Sequence, residues 1–163
     1  MSIQPPTNSD PAALERSALV DYIREHHDVH LRAAIPFVPP LATRVMRKHS
    51  ARDPRLVEMC DLTIQLRRLL ETHLDAEENN LFPDLRDGRL PAAHQLGAAR
   101  TQHRDIGAAL DRLRTLTDDY RAPSWACRCY CTLLEWLNAV DFHLAEDVLL
   151  EDRLWGHLAQ PMQ

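Results

Sequence analysis

With only four glycines among its 163 residues, and without the β-branched alternating runs that mark half-buried strands, the chain offers little material for a sheet and its tight turns. No apolar run approaches the ~20 residues that span a bilayer. The opening stretch, MSIQPPTNSDPAALERS, lacks a hydrophobic signal core. These two absences predict a soluble, cytoplasmic protein with no membrane partner. An excess of basic charge is also missing: 19 Lys and Arg stand against 24 Asp and Glu, a net charge of −5 with histidine neutral, which argues against a nucleic-acid surface. The four cysteines, at 60, 127, 129 and 131, are too clustered for the disulfide framework of a small secreted protein. On a helix Cys127 and Cys131 share one face while Cys129 points elsewhere, and packing as small apolar side chains is their simplest use.

What the chain does contain is Leu, Ala, Arg and Glu in abundance, the composition of helices. At 45% hydrophobic it is long enough for one domain with its own core. Pro11 after Ser9-Asp10, Pro54 after Asp53, DGRLP at 87–91 and APS at 122–124 divide it into four long segments. The expectation is an all-α, up-down four-helix bundle. Its helices are placed at about 12–49, 54–86, 92–119 and 124–157, the first interrupted because Pro36, Pro39 and Pro40 must kink or break it. The bundle is expected to occupy 12–158, between a disordered tail at 1–11 and a short tail at 159–163.

Each seam carries ionisable intruders. In VDFHLAEDVLLEDRLW (140–155), Val140, Leu144, Asp147, Glu151 and Leu154 fall on one helical face, and two of these are acids. The second segment runs Leu62, Leu66, Leu69 and Leu70 into His73 and Glu77. The third runs Leu96 and Ala99 into His103, then Ile106 and Leu110. In the first, Val20, Ile23, Leu31 and Ile35 surround His27, with Asp28 at the edge. Burying several carboxylates without compensation costs several kcal/mol each, and no stripe supplies a matching set of inward Arg or Lys. A cation is the natural remedy. The i,i+4 pairs His73/Glu77 and Asp147/Glu151 each aim two donors at one point, and nitrogen and oxygen donors without inward thiolate fit iron or manganese better than closed zinc. About six donors carrying four negative charges fit two metal ions bridged by carboxylates.

These same stretches carry a resemblance. HLDAEENNLFPDL (73–85) resembles the second-helix motif of hemerythrin-like, HHE cation-binding domains, where a His and a Glu four residues later bind iron just before an LFP helix end. ARTQHRDIGAALDRLRTLTDDYRAPSWAC (99–127) resembles the third helix and loop of the repair-of-iron-centres (RIC) family, and LVDYIREHHDVHLRAAIP (19–36) with VMRKHSARDP (45–54) resembles its first helix and loop. The resemblance implies a non-heme iron centre held by His73, Glu77 and His103. DVLLEDRLW (147–155) stands where the family has HxxLEN, so Glu151 keeps the Glu and Asp147 replaces a His. An ungapped register puts Asp28 where the family has another His, with the adjacent His27 as the alternative ligand. His143, one turn before Asp147, is an outer partner or a substitute ligand.

The expected metal set is therefore Asp28, His73, Glu77, His103, Asp147 and Glu151, holding two iron ions, with manganese as the alternative. Two imidazoles and four carboxylates match the donor balance of bundle di-iron oxidases and oxygenases, and hard anionic donors favour the higher oxidation states. The first expectation is thus a redox enzyme that activates O2 to oxidise a small metabolite. The second is a RIC-like protein that binds O2, nitric oxide or peroxide, or donates iron to damaged iron centres. The third is a metal-free helical module that only binds a partner.

Overall fold

The computed structural model describes residues 15–155, apart from the side chains of His27 and Asp28. The expected tails, and His157, lie outside the described residues. The described chain is helical, with no strands among the described residues: α1 Arg16–Ile23, a π-helical turn Arg24–Asp28, α2 Val29–Ala34, α3 Val38–His49, α4 Arg55–Ala76, a second π-helical turn Glu77–Leu81, α5 Phe82–Arg86, α6 Ala93–Leu116 and α7 Arg128–Trp155. Taken as four rods (α1–α3, α4–α5, α6 and α7) they form the four-helix bundle. Neighbours pack as α3 on α4, α4 on α6 and α3 on α7, while α6 and α7 touch more sparsely.

Local chemistry explains the breaks. Pro36 sits in the turn between α2 and α3, and Pro39 and Pro40 fall in the first turn of α3, where a missing N–H leaves no hydrogen bond unmade. The prolines therefore break the first rod instead of kinking it. Asp53 accepts the backbone N–H of Arg55 and pairs with its guanidinium at 2.9 Å, fixing the start of α4. Gln95 accepts the N–H of Ala92 at the start of α6.

Two ends differ from the sequence expectation. The third helix stops at Leu116 instead of 119, because Asp118, Asp119 and Tyr120 have φ of 51°, 58° and 57°. Left-handed backbone costs L-residues roughly 1–2 kcal/mol each, so something must hold it. Thr117 does so locally, its hydroxyl donating to the Leu113 carbonyl and accepting from the Tyr120 N–H. Tyr120 then donates its hydroxyl to Asp141 at 2.8 Å, and Arg114 grips the same carboxylate with two bonds of 2.5 Å. Burial, before the adjacent Asp141, pushes the Tyr120 phenol above its ordinary value. The fourth helix correspondingly begins at Arg128, not 124.

The core divides into two apolar clusters. The larger contains Leu31, Ala34, Leu66, Leu70, Leu74, Ile106, Leu110, Val140 and Leu144. The smaller, at one end of the bundle, contains Leu19, Val20, Ile23, Leu81, Phe82, Leu85, Leu96, Ala99, Leu154 and Trp155. What lies between them is polar on α6, on α7 and on the rod of α4 and α5.

Candidate metal centre

Following each rod from one cluster to the other locates the polar layer. On α4 the step from Leu74 to Leu81 crosses Glu77, with His73 beside Leu74. On α6 the step from Ala99 to Ile106 crosses His103, and on α7 the step from Leu144 to Leu154 crosses Asp147 and Glu151. On the first rod the step from Ile23 to Leu31 crosses the π-helical turn Arg24–Asp28. Each π turn is closed by an i→i+5 bond, Val29 N–H to the Arg24 carbonyl and Phe82 N–H to the Glu77 carbonyl. Such turns insert extra backbone into a helix and recur at functional sites. Here both lie at the polar layer, and Glu77 opens one of them.

His73, Glu77, Asp147 and Glu151 have no exposed surface, and the His103 side chain is 9% exposed. Ligand atoms of His73, Glu77, His103 and Glu151 all lie within 4.8 Å of one another, and among the described residues this is the one such group of three or more donors. His73 Nε2 is 3.3 Å from Glu77 Oε1 and 4.0 Å from Glu151 Oε1, while His103 Nε2 is 2.8 Å from Glu151 Oε2. The two imidazoles meet edge to face at 4.7 Å between ring centres.

Protonation decides what this cluster fits. Burial, reinforced by the neighbouring His103, pushes the His73 pKa down to about 3. Burial also lowers that of His103, against a smaller upward pull from Asp152. Both rings are thus neutral near pH 7 and supply no positive charge to the carboxylates they touch. Neither Nε2 makes a hydrogen bond, although acid oxygens are close. His73 Nδ1 donates to Gln102 Oε1 at 3.3 Å, which fixes the tautomer and leaves the Nε2 lone pair facing the acids. Neutral imidazole lone pairs and buried carboxylates converging on one point constitute a donor set for a divalent cation, and iron suits these nitrogen and oxygen donors.

Four of the six sequence-expected ligands are therefore brought together. Asp147 is buried one turn before Glu151 on the same face, outside that four-residue group. The side chain of Asp28, like that of its alternative His27, lies outside the described residues; only the π turn that carries them can be placed at the layer. His143 is half-buried and stacks on the exposed His30 ring at 5.5 Å. Gln102 escaped the sequence reading because an amide one residue from the seam resembles any helix-surface glutamine. Loss of its bond to His73 should cost metal affinity of the order of 10- to 100-fold, so Gln102→Leu is expected to bind iron that much more weakly with unchanged helicity, as measured by competition with a chelator.

The lowered pKa of His73 also fixes a sign. Its folded value lies below the unfolded value of 6.5, so the stability it contributes is full above pH 6.5 and is lost as pH falls toward 3. In metal-free protein, the unfolding free energy of wild type should fall more steeply between pH 6.5 and 5 than that of His73→Phe, by up to ~1.4 kcal/mol per pH unit. Chemical denaturation of both proteins across that range measures the difference in slope.

A helical bundle whose core is crossed by a layer of His and Glu side chains belongs to the class of bundles built to hold metal. The family model described as hemerythrin HHE cation binding domain matches residues 18–156, and the chain belongs to that family. Among curated relatives it is similar to proteins named iron-sulfur cluster repair protein. DnrN of Neisseria gonorrhoeae is 32% identical over 140 residues, covering 81% of this chain and 87% of the relative. YtfE of Dickeya chrysanthemi is 29% identical over 154 residues, 93% of this chain and 69% of the relative. YtfE of Edwardsiella ictaluri is 31% identical over 136 residues, and there the alignment spans 60% of the relative's length. The family implies iron binding and the names speak of repair. Neither they nor the converged side chains support the first expectation, O2 activation. In the membrane question the described residues agree with the sequence to this extent: no helix is long and apolar enough to cross a bilayer.

Proposed function

We propose that this protein holds iron as cargo for the repair of damaged iron–sulfur centres, the second of the sequence expectations. One observation carries the reading: a buried layer of two neutral histidines and two glutamates, His73, Glu77, His103 and Glu151, spans three helices of a chain whose relatives are named for that repair. Asp147 from α7, and Asp28 or His27 from the first π turn, are the residues that complete the set. Glu151 has one oxygen 4.0 Å from His73 Nε2 and the other 2.8 Å from His103 Nε2, so it would hold iron together with both histidines, and two ions per chain are the proposed complement.

Iron bound there supplies a redox-active, exchangeable cation. The protein's own contribution is to hold and release it. His73 is locked in orientation by Gln102 and has no exposed surface, so it serves as the fixed anchor. His103, on α6, is the group's one residue with exposed surface. His103 would be the ligand nearest solvent when iron is exchanged, while Glu151 holds it from the core. The partner is then an iron-depleted cluster protein.

Transfer tests this directly. Iron-loaded protein incubated with an enzyme whose [4Fe–4S] cluster has been damaged by nitric oxide should restore that enzyme's activity faster than an equal amount of ferrous salt. The same protein with His73→Ala and Glu77→Ala together should not. Recovery no better than with free iron would end the repair reading.

A further inference from the structure

A second pair of reactive side chains lies far from the polar layer. His49 is the last residue of α3, and Cys127 immediately precedes Arg128, the first residue of the 28-residue helix α7. His49 Nε2 is 3.1 Å from Cys127 Sγ. Asp147 lies 20 residues further along α7, so at the α-helical rise the pair is roughly 30 Å from the candidate iron site. It belongs to no group of three or more metal-type donors found among the described residues.

Three features separate Cys127 from the other free cysteines. An imidazole nitrogen touches its sulfur; with the ring proton on Nδ1, Nε2 accepts the S–H, the nucleophile-and-base arrangement that activates thiols. Its carbonyl already receives the N–H groups of Tyr130 and Cys131, so it occupies the N-cap of a long helix. Its surroundings are distinctive as well. The Trp125 ring contacts His49 at 5.6 Å between ring centres and carries the Arg52 guanidinium 5.0 Å from its centre. Cys127 is half-buried and thus within reach of a small reagent, whereas Cys60 is buried. Cys129 and Cys131 are as accessible in class as Cys127, so they serve as internal references.

We propose that Cys127, with His49 as its base, is a site of thiol–disulfide exchange with low-molecular-weight disulfides. The thiol proton passes to His49 Nε2. The Cys127 sulfur attacks one sulfur of the reagent, a new S–S bond forms as the reagent's own S–S bond breaks, and the departing thiolate takes the proton from His49. Cys127 is oxidised to a mixed disulfide and the released half of the reagent is reduced to a thiol, so atoms and electrons balance.

The probe is oxidised glutathione added to the iron-loaded full chain, with adducts at each cysteine followed by peptide mass spectrometry. Cys127 should react about tenfold or more faster than Cys129 and Cys131. His49→Gln should slow Cys127 by about tenfold without changing the rates at Cys129 and Cys131 or the iron content. Equal rates at the three half-buried cysteines, or an unchanged Cys127 rate in His49→Gln, overturns the proposal. Should His49→Gln fail to fold, the comparison among the wild-type cysteines decides alone.

Discussion

His73→Ala, Glu77→Ala and Glu151→Ala are each expected to lose at least one iron ion per chain while keeping most of their helical content. Each removes a donor from a group whose ligand atoms lie within 4.8 Å of one another, and none of the three has exposed surface through which water could readily substitute. The fold survives because Leu74, Ile106, Val140 and Leu144 on one side of the layer, and Leu81, Phe82, Leu154 and Trp155 on the other, remain packed. Fully burying such a side chain contributes about 1.5–3 kcal/mol, so two apolar clusters outweigh one lost ligand. Stability should nevertheless depend on metal in the wild type. A ligand present at 100 times its dissociation constant stabilises the folded state by about 2.7 kcal/mol, and chelation should lower the thermal midpoint accordingly. Elemental analysis and melting of the same samples check both expectations; full iron retention in all three variants would remove these residues from the site.

Asp141→Ala is expected to destabilise the fold by about 2–4 kcal/mol. The Asp141 side chain is 9% exposed and receives two bonds from Arg114 and one from Tyr120. Arg114 is 39% exposed, which moderates the penalty for stranding its charge compared with a fully buried pair. The Tyr120 hydroxyl is also stranded, and with it the tether that holds the left-handed backbone of 118–120. Asp141→Asn keeps oxygen and shape, so it should lose less than half as much. Denaturant unfolding of the two variants separates a lost network from a lost side-chain volume.

Much of this was legible before any coordinates. Four rods follow from the spacing of Leu and Ala and from proline punctuation, and the acids at 147 and 151 stand out because a 3.6-residue period places them among Val140, Leu144 and Leu154. The π turns were not legible. A period count assumes a constant number of residues per turn, and an i→i+5 turn at 24–28 violates it where the choice between His27 and Asp28 must be made. Asp141 escaped for a different reason: one residue from Val140, it reads as an ordinary solvent-side acid, and its partners Arg114 and Tyr120 come from another helix and a loop whose conformation no period reports. The contact between His49 and Cys127 joins residues 78 positions apart, a proximity set by how α3 and α7 pack. The inward positions of His73, Glu77, His103 and Glu151 on three of the rods were thus readable from local pattern, whereas cross-rod contacts required the tertiary structure.

The most direct test of the central claim is iron-edge anomalous scattering from crystals of the iron-loaded protein. The account predicts density in the polar layer between the two apolar clusters, within bonding distance of His73 Nε2, His103 Nε2 and carboxylate oxygens of Glu77 and Glu151. No anomalous density in that layer, or density at a place none of these four residues reaches, would contradict it.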